Sequence, residues 1–233
     1  SGIDARMSIA AIDSPRALVL ARPSEGAKPA LSLRTVAPKQ PGAGEVVVRL
    51  RAAALNRRDA WIRAGKYAGI KLPAVLGSDG AGVVSAVGAG VNGHAVGDGV
   101  IINPSLGWGG SEVAFGDGYR ILGMPDDGTF ADEVCVPAGN LVAKPAHMSW
   151  TEAAALPLAG LTAYRALCVR GRLRAGETVL LPGIGSGVQT MALIIARHFG
   201  ARIIVTSSSA EKRERALSLG AQLAVNHRDA DWG

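Results

Sequence analysis

The chain has little that would cross-link it or place it in a membrane. Its 233 residues include only two cysteines, Cys135 and Cys168, far apart, so neither a disulfide framework nor a CxxC metal motif is available. A reducing compartment is the simpler assumption. No apolar run approaches the roughly eighteen residues of a membrane helix, and the N-terminus lacks the charged, apolar and small-residue segments of a secretory leader. The expectation is a cytoplasmic protein with no membrane partner. "SGIDAR" ahead of Met7 reads as a remnant of an expression tag and is left out of fold reasoning. Aromatics make up 4% of the chain and charged residues 19%. No aromatic-and-basic stripe of the kind that binds nucleic acid is present, so such a partner is not indicated. Lys and Arg are spread along the chain, and short groups such as "RLRAGE" and "EKRERA" also carry acids. A net charge of +6 suits acidic or phosphorylated small molecules as well.

Apolar residues and glycine are plentiful. At 48% hydrophobic with 31 glycines, the chain can bury one large core or two modest ones joined by tight turns. Two domains is the working number. From "RALVLARP" through "EVVVRLRAAAL" to "AVLGSDGAGVVSAVGAGVNGHAVGDGVII", short Val- and Leu-rich runs alternate with Gly, Pro and Asn. That pattern predicts a barrel-like sheet of short strands and sharp bends. Residues 103 to 128 are rich in Gly, Asp and Pro and read as a long surface excursion, a substrate-pocket wall more than a linker. After "LVAKPAHMSW" the texture changes. Ser149 and Glu152 have capping-box spacing ahead of an Ala- and Leu-rich run, which Pro157 and Gly160 should break into two short helices near "PLAG".

From Thr178 the pattern alternates between strand and helix: "TVLLP", "SGVQTMALIIARHFG", "RIIVT", "SAEKRERALSLG", "LAVNH". This is a βαβαβ unit, half of a doubly wound sheet. The first helix, apolar at Val188, Met191, Leu193, Ile194 and Ile195, should lie buried, and the second should end at Gly220 as its C′ residue. Between the first strand and helix stands "GIGSGVQT". A strand that delivers the chain to a glycine turn, followed by unpaired N–H groups at a helix start, makes a site for a pyrophosphate. Gly183, Gly185 and Gly187 allow the backbone to approach it closely. Gln189 stands near the third glycine of the simplest fingerprint, a position that bears on helix packing. After "ARIIVT", where an NAD site would place an acid for the ribose hydroxyls, come Ser207, Ser208 and Ser209, then Lys212 and Arg213. Hydroxyls and cations there favour NADPH over NADH.

The order of "ALNRRDAWIRAGKY", "LPAVLGSDGAGVVSAVGAGV", "GTFADEVCVPAGNLVAKP", "EAAALPLAGLTAYRAL" and "GETVLLPGIGSGV" resembles the medium-chain dehydrogenase/reductases from about Arg16 to the end. Within them it is similar to the zinc-independent, quinone oxidoreductase-like branch. The resemblance implies a GroES-like β-barrel domain over 7–147, then a Rossmann-type doubly wound domain over 148–233 of which only the first half is present. Where zinc-dependent relatives carry a Cys and a Gly-His-Glu, this chain has Asn56 and Ser78 with Asp79. Two distant cysteines cannot build the family's four-cysteine structural site, and the four histidines are scattered. No metal is expected. The implied reaction is hydride transfer from NADPH to a small-molecule electron acceptor, a quinone or α,β-unsaturated carbonyl, with hydrogen-bond donors at its oxygen. Asn56, Arg58 and Tyr67, with Arg57, are the candidate donors. Thr162 resembles the family position near the nicotinamide, and Val188 joins the three glycines, Ser207, Ser208 and Lys212 in the cofactor set. Ser78 and Asp79 rank below these, as turn formers. An alcohol dehydrogenase of the same superfamily, or a non-catalytic dinucleotide-binding or redox-sensing protein, is the alternative. The resemblance implies a longer parent protein, a homodimer when whole. Half a sheet should expose a strand edge and an apolar face, and the isolated chain should bind NADPH weakly and turn over little.

Overall fold

The structure is a computed structural model that describes residues 12–22 and 24–232; "SGIDAR" lies outside the described residues. The chain divides into two compact units, Ser1–Leu158 and Ala159–Gly233. The first runs β1 (Arg16–Ala21), β2 (Ala30–Thr35), β3 (Glu45–Ala54), α1 (Arg57–Arg63), β4 (Ala74–Val75), β5 (Asp79–Val87), β6 (Gly99–Ile102), β7 (Ser105–Leu106), β8 (Arg120–Ile121), β9 (Glu133–Pro137), β10 (Leu141–Ala143) and α2 (Trp150–Ala154). Its main sheet has five strands in the order β10-β6-β5-β3-β9, and β2-β1-β4 forms a smaller one. All these pairs are antiparallel. The short apolar runs seen in the sequence are these strands. Alternate residues Val46 and Val48 of β3 meet Val84, Val100, Ile102, Val134 and Val136 in one buried cluster, as the two-residue period of a strand requires.

Gly77 enters β5 with φ +95°, and a Cβ there would come within 2.5 Å of the Phe130 ring. Only glycine lets the chain turn into β5 this close to Thr129 and Phe130. The excursion over 103–128 folds on the β7–β8 hairpin. Trp108, Phe115 and Tyr119 pack on one another there, with ring centroids 4.8–5.9 Å apart.

The capping box at the start of α2 forms as the spacing predicts: Ser149 Oγ accepts from Glu152 N, and the Glu152 carboxylate accepts from Ser149 N at 2.9 Å. Ala153 and Ala154 are buried with Ala81 of β5. Because α2 packs on the sheet, the units part after Leu158, C-terminal to the 147/148 boundary read from the sequence. Pro157 opens the next helix, a position where its missing N–H costs nothing. Gly160 does not break that helix, contrary to expectation, but lies inside it.

The second unit contains most of α3 (Pro157–Tyr164), a π-helical segment (Arg165–Arg170), β11 (Thr178–Leu181), α4 (Gly187–His198), β12 (Arg202–Thr206), α5 (Ala210–Ser218) and β13 (Leu223–Val225). The strands form a parallel sheet in the order β11-β12-β13, and Gly220 with φ +111° follows the end of α5 as expected. The burial expected of α4 is corrected. Its deep face is Ala192, Leu193 and Ala196, whereas Ile194 is 47% exposed and Val188, Met191 and Ile195 are half-buried. A three-stranded sheet covers one face of an apolar helix and leaves the rest uncovered. The sheet has the same problem. Its register aligns Leu180, Ile204 and Leu223 across the strands, with Leu180 51% and Leu223 48% exposed, and β11 pairs only with β12 among the described residues. This is the exposed edge and apolar row anticipated for half a sheet. Leu180→Lys should therefore reduce concentration-dependent association, read by light scattering, with little change in unfolding midpoint.

Candidate functional site

In the first unit the "NRRDAW" segment turns Arg58, Asp59 and Ile62 inward on α1 and leaves Arg57 exposed. Residues four apart share a helix face. Arg58 then becomes a hub. Its Nη1 donates to Ser78 Oγ at 2.9 Å and to the Leu122 carbonyl at 3.0 Å, its Nη2 donates to the Met124 carbonyl at 3.1 Å, and its guanidinium lies 5.2 Å from the centre of the Tyr67 ring. Ser78 Oγ in turn donates a hydrogen bond to the Leu122 carbonyl. The end of the 103–128 excursion is thus fastened to α1 and the start of β5 through one buried cation.

Next to Ser78, the Asp79 carboxylate accepts from Asn56 Nδ2 at 2.9 Å and from the Leu158 amide at 2.8 Å. Burial pushes its pKa up from 3.8 to about 6, against the lowering effect of those two bonds. Burial also raises Asp59, although its carboxylate accepts from the amides of Asn56 and Gly77. One sequence expectation needs correction. Ser78 and Asp79 are not turn formers but fully buried hydrogen-bond partners. Arg58 is buried, with both terminal nitrogens bonded within the protein and its Nε without a partner among the described residues. Asn56, which uses one of its two amide protons, and Tyr67 are half-buried donors with unclaimed protons, and Arg57 is an exposed one.

In the second unit the glycine turn has the shape a diphosphate needs. Gly183 has φ +73° and open space where a Cβ would stand; Gly185 has φ +99° and lies against the stem of Lys212, 2.7 Å from a built Cβ. Gly187 heads the twelve-residue α4, where Ser186 Oγ caps the Gln189 amide and leaves the Gly187 and Val188 amides at the helix start. These residues fit a dinucleotide. Gln189 does not mediate the close approach of α4 to the sheet, which falls to Ala192 and Ala196. Ala159 of α3 meets Gly187, and Thr162, exposed, lies three residues further along that helix.

At the end of β12, Ser207 is buried, its Oγ accepting from Ser209 N and its carbonyl accepting from Arg213 Nη1. Ser209 caps α5, while Ser208 and Lys212 are exposed. Sequence reasoning passed over Thr206, whose Oγ1 accepts from Gly183 N at 3.2 Å and lies 3.3 Å from His227 Nδ1. A hydroxyl closing a strand one step before the serines was the available signal. No three His, Cys, Asp or Glu side chains gather into a metal-sized group among the described residues.

An antiparallel β unit with a buried polar cluster, followed by a parallel half-sheet with a glycine turn, is the layout of the two-domain nicotinamide dehydrogenases. Comparison with known proteins agrees. Residues 42–146 match the alcohol dehydrogenase GroES-like domain, and residues 187–233 match the zinc-binding dehydrogenase family. The chain belongs to the medium-chain dehydrogenase/reductase superfamily. It is 40% identical over 195 residues to a zinc-type alcohol dehydrogenase-like protein of Schizosaccharomyces pombe, covering 82% of this chain and 56% of that one. A crystal structure of an NAD-dependent alcohol dehydrogenase superposes with TM-score 0.84 at 44% identity, over 93% of this chain and 65% of the other. A quinone oxidoreductase of Pseudomonas syringae superposes with TM-score 0.74 at 32% identity, over 94% and 60%. The chain therefore spans about three fifths of the length of the relatives it matches.

Proposed function

We propose that the whole protein is an NADPH-dependent reductase of quinones or α,β-unsaturated carbonyls that works without catalytic zinc. The observation that carries this reading is the pairing at the start of β5. Where zinc-dependent relatives place a thiolate and an imidazole, Asn56 is bonded to Asp79, and Ser78 is bonded to the Arg58 guanidinium. A hydroxyl already held by a buried cation is a poor ligand for a dication, and zinc sites are built from thiolate, imidazole and carboxylate. The residues present do not fit zinc. Support for NADPH is local to β12 and α5: residues 206–210 contain no acid, Ser208 is exposed, and Lys212 is exposed beside the turn.

Bound at the glycine turn, a reduced nicotinamide supplies hydride. The amides of Gly187 and Val188 would hold its diphosphate. Asn56, held by Asp79, and the Tyr67 hydroxyl would donate to the acceptor's oxygen as negative charge develops on it. For the whole protein we also propose the cytoplasm and a homodimer; the unpaired thiols suit the first, and the open β11 edge with its apolar row suits the second.

The test is NADPH oxidation, followed by absorbance, against quinones, enones and aldehydes with and without chelator. Asn56→Ala should lower kcat about 100-fold while NADPH still raises the melting temperature. Activity lost to chelator and restored by zinc would favour the second reading, an alcohol dehydrogenase, which the 44% identity to such an enzyme motivates. Faster turnover with NADH would reject the NADPH assignment alone.

A further inference from the structure

One cavity of the first unit shares only Tyr67 with the chemistry above. It measures about 1260 Å³ and is walled by the β1–β2 connection, the C-terminal end of α1 and the segment leading to β4. Arg22, Lys28, Arg34 and Arg63 line it, and no Asp or Glu does among the described residues. These cations come from four places in the chain, so the sequence shows no cluster. None of the four takes part in an ion pair among the described residues, and Lys28 and Arg63 make no hydrogen bond there either. Arg22 uses one nitrogen on the Ala27 carbonyl, and Arg34 uses Nε on Ser32 Oγ, which leaves the remaining guanidinium protons of each unclaimed.

The floor is different in kind. Ile62 is fully buried, Tyr67, Ile70 and Leu72 are half-buried, and all four line the same cavity. Four like charges around one concavity repel one another and raise the local potential. A solvated basic face needs neither the concavity nor an apolar floor. A bound anion with an apolar body uses both. We propose that this cavity is a binding site for a small molecule that joins an oxyanion group, phosphate or carboxylate, to an apolar body. The oxyanion meets the Lys28 ammonium together with Arg34 and Arg63, whose guanidinium forks suit it bidentately. The apolar part lies on Ile62, Ile70 and Leu72. The site shares the Tyr67 wall with the hydride-transfer reading, but it rests on the cations and the apolar floor and survives if that reading fails.

Isothermal titration calorimetry of the chain with phenyl phosphate, benzoate, inorganic phosphate and benzyl alcohol tests the proposal. Phenyl phosphate should bind, inorganic phosphate should bind more weakly for want of the apolar contact, and benzyl alcohol should give no heat. Benzoate binding as tightly as phenyl phosphate also supports the site and makes carboxylate the group it takes. The double variant Lys28→Glu, Arg63→Glu should weaken phenyl phosphate about tenfold or more. Both side chains are exposed, so circular dichroism should report an unchanged fold. Raising the ionic strength from about 0.01 to about 1 M should weaken binding without any variant. No heat from phenyl phosphate, equal binding of benzyl alcohol, or an affinity indifferent to both the charge reversal and salt would overturn the site.

Discussion

Arg58→Ala should destabilise the first unit by about 3–5 kcal/mol, the usual cost of removing one partner from a buried charged network. The loss comes from what is left behind. Without the guanidinium, Ser78 loses its donor, the Met124 carbonyl loses its charged partner, and the Leu122 carbonyl keeps only the Ser78 hydroxyl. Buried polar groups stranded in this way cost about 1–3 kcal/mol each. Tyr67 also loses the cation over its ring, and Asp59 loses the charge that holds its raised pKa down. Arg58→Lys should recover little, because one ammonium cannot reproduce the planar fork that reaches Ser78, Leu122 and Met124 together. Urea denaturation followed by far-UV circular dichroism measures the effect. Both carbonyls belong to the end of the 103–128 excursion, so trypsin or chymotrypsin should also cut the variant faster between β7 and β8. A loss below about 1 kcal/mol would show that the network is worth no more than a surface pair and would sink the hub.

The sequence carried the local devices of this fold well and the long-range ones badly. Ser149 with Glu152, Gly220 after α5 and the βαβαβ alternation each depend on residues a few positions apart, and each appears where expected. The hub depends on which way a seven-residue helix faces. "NRRDAW" holds two adjacent arginines, and only the pairing of Arg58 with Ile62 on one face distinguishes the buried one from the exposed one. Its acceptors lie twenty to sixty-six residues away along the chain, beyond any spacing rule. The burial expected of α4 failed for a different reason. An apolar helix says that a cover exists somewhere, not that the same stretch of chain provides it; in this chain Ile194 and Leu180 face outward. The basic cavity is the extreme case, because dispersed cations read as a solvated surface until the fold brings four of them together.

Asp79→Asn should change the pH dependence of stability more than its size at neutral pH. In the folded protein burial raises the Asp79 pKa from 3.8 to about 6, while the unfolded chain titrates near the ordinary value. Between those two pH values the folded state holds the proton and the unfolded state has released it, so acidification favours folding. The contribution is fully present below the unfolded pKa and is lost as pH rises through about 6. A shift of this size corresponds to roughly 3 kcal/mol. The wild type should therefore gain about that much on Asp79→Asn between about pH 7 and about pH 4, read as the difference of two urea-denaturation series. Asp59, also raised by burial, adds a slope of the same sign in both proteins and largely cancels. Parallel curves would mean that Asp79 titrates normally and is not held in a dry site. The function should respond differently from the stability. An Asn at 79 can still accept from the Leu158 amide, but its other atom becomes a donor facing the donor Asn56 Nδ2. Asn56 must flip to offer its oxygen, and the amide aimed at the substrate loses its orientation. At neutral pH the variant should fold as well as the wild type, or better, and should turn over more slowly. That separation would identify Asp79 as the residue that positions Asn56, because a merely structural defect would lower stability and turnover together.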